Sequence, residues 1–337
     1  SITNVRMRID GTLFLTTEIP KNLHAPLIAR IKILSGMDIA EKRRPQDGRI
    51  LIKVGGKKMD MRVSTLPSIF GEKAVLRLLD QDNEHIGIEK LGFEHGQAEK
   101  LRQVITAPHG IILVTGPTGS GKSTTLYSLL ELINKPEVNI ITIEDPVEYT
   151  IPGLTQVQIN EKIDVTFGSA LRSILRQDPD KLMVGEIRDQ ETAHLAVRVA
   201  LTGHLVLSTL HTNDAPASIN RLVDMGIPNF LIASSLRCIV AQRLVRKLCP
   251  NCKKEMNVTQ EMAKEIKMPE GAKIYAPVGC ASCRFTGYSG RTVIGEIMVI
   301  DTELRDMINN ARPQHEIKDY AVNNGMDTLR DIARKKV

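Results

Sequence analysis

Residues 110–125 read GIILVTGPTGSGKSTT, and they constrain the fold more tightly than any other stretch of the chain. Residues 111–114 are four consecutive apolar side chains, the pattern of a strand buried on both faces in a parallel sheet. Residues 123–132 read as a helix. Between them Gly116, Pro117, Thr118, Gly119, Ser120, Gly121, Lys122 and Ser123 complete a G-x-x-x-x-G-K-S loop, with Thr124 directly after it. The glycines let the backbone curl until several N–H groups converge on one point at the positive end of a helix. Such a point favours a polyphosphate. The pattern therefore places ATP on residues 116–124, with Lys122 reaching the β- and γ-phosphates and the Ser123 hydroxyl on Mg²⁺. A strand before, a helix after and no mismatched position separate this loop from a chance glycine-rich turn.

At 337 residues the chain is long enough for two domains and a small third. Its 42% hydrophobic and 25% charged residues are ordinary for a globular protein. Aromatic residues make up 3% and Trp is absent, which leaves few platforms for stacking nucleic-acid bases. The formal charge of +6 is mild and compatible with a phosphate-bearing ligand. No run of about 18 apolar residues exists to form a membrane-spanning helix.

In the first 80 residues, 5–9 alternate apolar and basic, Asp10-Gly11 signals a turn, and 13–19 can pair back. Residues 23–37 carry a helical stripe of Leu23, Leu27, Ile28, Ile31 and Leu34. Residues 50–54 and 58–63 flank Gly55-Gly56 as a second hairpin, and 73–79 form a further strand. Arg62 and Arg77 stand in these strands; they are either ordinary surface arginines or a cationic face for a nucleotide. The polar stretch 80–94 reads as a linker, and 96–106 as a helix.

Past the phosphate loop, 139–143 form a buried strand that ends in Glu144-Asp145-Pro146-Val147-Glu148. Carboxylates at the C-terminal end of such a strand border the ligand crevice of an α/β sheet. Residues 170–177 read as a helix with Arg172 and Arg176 on one face. Residues 181–186, KLMVGE, have the form of a Walker B strand with Gly185 where aspartate is usual. Glu186 is then the leading candidate to polarise an attacking water. Arg188 and Asp189 read as candidates for pairing across a subunit interface. Residues 190–201 form a helix, and 204–210 a strand tipped by His211, which is either structural or in contact with the γ-phosphate. Residues 215–225 and 230–240 read as helices, the second enclosing a buried Cys238. Alternating strands and helices imply a parallel, RecA-like sheet.

Cys249-Pro-Asn-Cys252 and Cys280-Ala-Ser-Cys283 are two knuckles whose four thiolates can close a tetrahedral structural Zn²⁺ site. A redox dithiol would need one pair only. A short helix is expected between the knuckles at 259–267, and two helices at 301–310 and 314–323 close the chain.

Taken together, GPTGSGKSTTLY, IEDPVEY, LMVGEIRDQETA, TGHLVLSTLHTNDA, the two knuckles, RPQDGRI and MRVSTLPSIFGEKAVLRLL resemble the ATPases of type II secretion and type IV pilus assembly over essentially the whole chain. The resemblance implies an α/β fold: a RecA-like P-loop core, an N-terminal α+β, PAS-like domain at 1–82, a linker at 83–95, and an ATPase domain at 96–337. That last domain would include a zinc subdomain at 246–290 and C-terminal helices at 291–337. It implies a homohexamer that hydrolyses ATP with Mg²⁺ on Ser123 and the acidic box. The work would pass to an inner-membrane platform protein at the cytoplasmic face of the bacterial inner membrane, with no nucleic acid. It assigns Glu186 as the Walker B glutamate, Glu148 to the acidic box, His211 to the histidine box, and Arg62 and Arg77 as arginines brought to the phosphates. Residues 89–93 would border the adenine. The four cysteines match the assembly and secretion branch, whereas retraction ATPases lack them. The resemblance also implies that a family N-terminal domain precedes Ser1 and that the chain is shortened after Val337. Two other readings stay open: a nucleic-acid translocase with the same core, and a nucleotide-dependent assembly scaffold.

Overall fold

The computed structural model describes residues 2–80 and 86–337, which divide into two compact units at 85/86. The expected linker at 83–95 lies partly outside the described residues.

In the first unit, β1 (Ile2–Ile9) and β2 (Thr12–Pro20) pair antiparallel. Asp10 and Gly11 both hold positive φ between them, as a tight two-residue turn requires. Helix α1 (His24–Leu34) is followed by an antiparallel meander of β3 (Gln46–Val54), β4 (Lys57–Leu66) and β5 (Lys73–Asp80). Its core is small: Met37, Ile50 and Val63, with Ile31, Ile52 and Met61 packed on it. Of the stripe read on α1, Ile28 is buried but Leu23 and Leu34 are exposed. Lys32 is buried instead, its ammonium 2.5 Å from Glu72 and 2.6 Å from the Glu41 carbonyl. A buried ammonium is tolerated only when paired in this way.

The second unit opens with α2 (Ile88–Leu91), α3 (His95–Ile105), β6 (Gly110–Thr115), α4 (Lys122–Ile133), β7 (Ile140–Glu144) and β8 (Thr155–Gln158). It continues with α5 (Phe167–Ile174), β9 (Lys181–Val184), α6 (Gln190–Leu201), β10 (Leu205–Leu210), α7 (Ala217–Asp224), α8 (Asn229–Ser235) and β11 (Leu236–Leu248). Then come β12 (Lys254–Asn257), α9 (Gln260–Ile266), β13 (Lys273–Ala276), β14 (Tyr288–Val299), α10 (Thr302–Asn309), α11 (Gln314–Asn323) and α12 (Leu329–Lys335). One sheet has the order β14-β11-β6-β10-β9-β7-β8, parallel throughout except for β14. The pleat sends Ile111 and Leu113 of β6 into a core shared with α5, α6, α8, α10 and α11. Ile112 and Val114 enter a second core with α2, α3 and α4. The doubly covered parallel sheet expected from the sequence is thus present. Among the described residues no helix is long and apolar enough to cross a membrane.

Three readings are overturned. Residues 230–240 are not one helix: α8 stops at Ser235, and Leu236 starts the longest strand of the sheet. LRCIVAQRL is a short, nearly continuous apolar run, for which a buried strand and a buried helix have the same pattern. Cys238 is buried as expected, but in a strand. Residues 291–299, grouped with the C-terminal helices, belong to β14, which pairs antiparallel with β11 from Cys238↔Val299 outwards. The stretch at 88–93 is also not an open polar segment, since Ile88, Leu91 and Phe93 are buried in the core of the second unit.

Candidate nucleotide site and cysteine cluster

The sheet order places the C-terminal ends of β6, β10, β9 and β7 side by side. These ends carry the phosphate loop, His211, Glu186 and the acidic box in turn. Gly116 holds φ 147°, and a Cβ there would lie 2.4 Å from the Gln242 carbonyl and 2.7 Å from Ser120 Oγ. Gly121, the N-cap of α4, holds φ 87° and has no side chain to offer the first helical N–H groups, which stay open to an anion. Ser120 Oγ is buried with no hydrogen-bond partner among the described residues. Such an orphan donor in a curled loop fits a phosphate. Pro117, Thr118 and Gly119 are exposed at the tip, as is Ser123 at the helix start, while Thr124 is half-buried. Lys122 folds over the loop and donates to the carbonyls of Gly116 (2.9 Å) and Pro117 (3.2 Å). Burial pulls its ammonium below the ordinary lysine range, and Glu186 nearby partly offsets that. Gly116→Ala should weaken equilibrium ATP binding roughly tenfold or more, because a non-glycine residue held at such a φ costs about 1–3 kcal/mol before the clash is counted. A fluorescent ATP analogue titrated into the variant checks this.

Glu186 follows β9 and is mostly buried. It pairs with Arg188, and its Oε2 lies 3.4 Å from His211 Nε2. Arg188 reaches on to Asp145 at 3.9 Å, and its guanidinium is raised above its usual range, chiefly by the hydrogen bond to Glu186. Asp189 caps α6 by accepting from Thr192 N–H at 2.8 Å. Both residues read as candidates for an interface are therefore engaged within the chain. A Cβ at Gly185 would stand 3.1 Å from the Ile143 carbonyl and 3.4 Å from the Glu144 Cα, a tight but not forbidding fit. The loop bearing His211 is tied to the phosphate-loop strand, since Thr115 Oγ1 lies 2.7 Å from Thr212 Oγ1 and accepts from Thr212 N–H at 2.9 Å. His204 sits at the other end of β10, beside Val199 and Thr202.

The acidic box is not three equivalent carboxylates. Asp145 is exposed and Glu148 half-buried, but Glu144 is buried and bonded to Tyr127 Oη, Thr142 Oγ1 (2.6 Å) and Gln156 Nε2 (3.1 Å). Ser123, Asp145 and Glu148 are oxygen donors of the kind a hard divalent cation takes. In the 89–93 stretch, the Phe93 ring packs where a Gly295 side chain would stand, leaving Glu89 and Lys90 exposed.

Sequence reading missed Gln242. This fully buried amide of β11 accepts from Thr125 Oγ1 at 2.9 Å and donates to the Ser120 carbonyl at 2.8 Å, so it forms the floor of the phosphate loop. An amide following the apolar residues 238–241 was the available signal. Arg62 and Arg77, described within their own unit, face each other in the β4–β5 ladder, with Arg49 opposite Arg62 on β3. Arg49 is committed to Asp60 by two bonds of 2.7 and 2.6 Å, while Arg77 is exposed and Arg62 half-buried.

The sulfurs of Cys249, Cys252, Cys280 and Cys283 all lie within 4.8 Å of one another. The pairs 249–280, 252–283 and 280–283 stand 4.0, 3.7 and 3.8 Å apart. A tetrahedron with metal–sulfur bonds of about 2.3 Å has edges of about 3.8 Å, so the cluster fits a tetrahedral metal. Burial pushes the Cys283 thiol up. N–H donation from Cys280 and Gly287, together with the Cys252 and Cys280 thiols, outweighs burial and brings it down to about 6. A ready thiolate suits metal ligation.

A family model for Type II/IV secretion system protein matches residues 1–337. The type II secretion system protein E of Aeromonas hydrophila is 52% identical over 309 residues, covering 91% of this chain and 62% of that protein. The type IV pilus assembly ATPase PilB of Thermus thermophilus is 49% identical over 331 residues, covering 97% and 37% respectively. The crystal structure of the pilus retraction motor PilT with bound ADP superposes with a TM-score of 0.62 at 28% identity, covering 97% of this chain and 88% of that one. The chain thus spans under two thirds of the length of the Aeromonas protein.

Proposed function

We propose, since the chain belongs to the Type II/IV secretion system protein family, that it hydrolyses ATP to ADP and phosphate to drive assembly of a type IV pilus or a type II secretion pseudopilus. The observation that carries this reading is the shared sheet edge: Glu186, paired with Arg188 and His211, stands beside a phosphate loop whose Lys122 feels its charge. ATP sits with its phosphates on the N–H groups of residues 116–124 and on Lys122. Ser123 and Glu148 of the acidic box would hold a magnesium ion, which would supply positive charge against the developing charge on the phosphates. Glu186 orients the attacking water, and His211 donates to the γ-phosphate. Arg62 and Arg77 add guanidinium charge to the phosphates; their facing positions in one ladder support a joint role. The four cysteines hold a structural zinc ion. The working form is a homohexamer at the cytoplasmic face of the inner membrane, acting on an inner-membrane platform protein.

Steady-state phosphate release by the purified chain, with and without single-stranded DNA or RNA, tests the reading. Many turnovers per chain, unchanged by nucleic acid, are expected. Release limited to one phosphate per chain would make it a scaffold, and stimulation by DNA or RNA would make it a translocase.

A further inference from the structure

Tyr127 stands on the second turn of α4, the helix that starts at the phosphate loop, and its side chain is fully buried. Its hydroxyl is nonetheless polar on two sides. It donates to Glu144, the last residue of β7, and accepts from the backbone N–H of Glu148 at 3.2 Å. One oxygen therefore touches both ends of the acidic box while belonging to the helix that carries Lys122 and Ser123. The ring is set as firmly as the hydroxyl, with Tyr149 packed edge-on at a centroid distance of 4.6 Å. Glu144 cannot turn away to solvent, because Thr142 and Gln156 also donate to it and it is 4% exposed. Burial, and then the Glu144 charge, hold the Tyr127 hydroxyl protonated far above the usual tyrosine range. It therefore stays a donor at every pH the protein meets.

We propose that Tyr127 is a positioning residue that locks the acidic box to the phosphate-loop helix, so that Glu148 meets the divalent cation held by Ser123. The inference rests on the nucleotide-site reading above. It predicts a role for a hydroxyl that touches neither nucleotide nor metal. Outer residues that orient metal ligands typically contribute about 10- to 100-fold in metal affinity or activity.

The test compares the full chain with Tyr127→Phe, Tyr149→Phe and Thr142→Val. Mn²⁺ binding is followed by electron paramagnetic resonance with a non-hydrolysable ATP analogue, alongside metal-free binding of that analogue and phosphate release against Mg²⁺. Tyr127→Phe should keep metal-free nucleotide affinity within about twofold, weaken Mn²⁺ about tenfold or more, and raise the Mg²⁺ needed for half-maximal rate by a similar factor. Tyr149→Phe and Thr142→Val should match the unmodified chain in Mn²⁺ affinity, although Thr142→Val removes a donor from the same buried carboxylate. Unchanged Mn²⁺ affinity in Tyr127→Phe overturns the proposal, and so does an equal loss in Thr142→Val. If Tyr127→Phe does not fold, Tyr127→Phe with Glu144→Gln removes the buried charge with its donor and is judged by the same criteria. A chain that never turns over ATP sinks the functional reading alone, because Mn²⁺ binding still decides the role of Tyr127.

Discussion

Glu186→Gln is expected to bind ATP as the unmodified chain does and to lose about 10²- to 10⁴-fold in turnover, the usual worth of a positioned general base. The amide has the shape of the carboxylate, so a side chain packed at the end of β9 keeps its place. It cannot serve as a charged acceptor for a water proton. In the proposed site the loop N–H groups, Lys122 and Ser123 take the phosphates; among the described residues Lys122 donates to the Gly116 and Pro117 carbonyls and meets Glu186 only through its charge. The partners that do touch Glu186 are Arg188 and His211. Phosphate release and equilibrium binding, measured on the same preparation, separate the two effects. Retained steady-state hydrolysis would move the water-orienting role to another carboxylate, with Glu148 the first to examine.

Removing the metal from the cysteine cluster should have the largest structural effect. Strands β12 and β13 are four residues each, and the buried apolar side chains between the knuckles are few, Val258 and Ile274 chief among them. A hairpin of that size does not stand alone in water. In small zinc-binding peptides the metal contributes apparent free energies of about 10–16 kcal/mol to folding. Elemental analysis should return one zinc per chain. Chelation under reducing conditions, or Cys283→Ser, should open residues 249–287 to protease and leave the β6-centred sheet resistant. Acidification should also release the metal, because protons compete with it for the thiolates. Full retention of protease resistance after verified zinc removal would deny the cluster its structural role.

Much of the site could be read directly because its residues lie at strand ends with recognisable chemistry. The phosphate loop, Glu186 and His211 each follow a short apolar run; a parallel sheet sends all such ends to one edge, and the order β6-β10-β9-β7 makes them neighbours. What could not be read depended on contacts distant in sequence. Gln242 acts through Ser120 and Thr125, more than a hundred positions away, and its strand has the pattern of a helix. Glu144 looked like one of three similar carboxylates until Tyr127, Thr142 and Gln156 were seen to enclose it. In the first unit the turns at Asp10-Gly11 and Gly55-Gly56 were legible from residue type, because positive φ demands it. Burial of Lys32 was not, because its partner Glu72 comes from a distant loop.

Strand β11 runs from Gln242, beneath the phosphate loop, to Leu248, one residue before the first knuckle cysteine, with one register shift against β14 between Arg246 and Leu248. At about 3.3 Å per residue, the span from Gln242 to Cys249 is roughly 20 Å of hydrogen-bonded ribbon, braced along one side by β14. The cysteine cluster is thus a pointer mounted on the floor of the phosphate loop. A cobalt ion substituted into it would place a coloured, paramagnetic gauge at the far end of that ribbon, where a small tilt beneath the nucleotide is read out at its widest sweep.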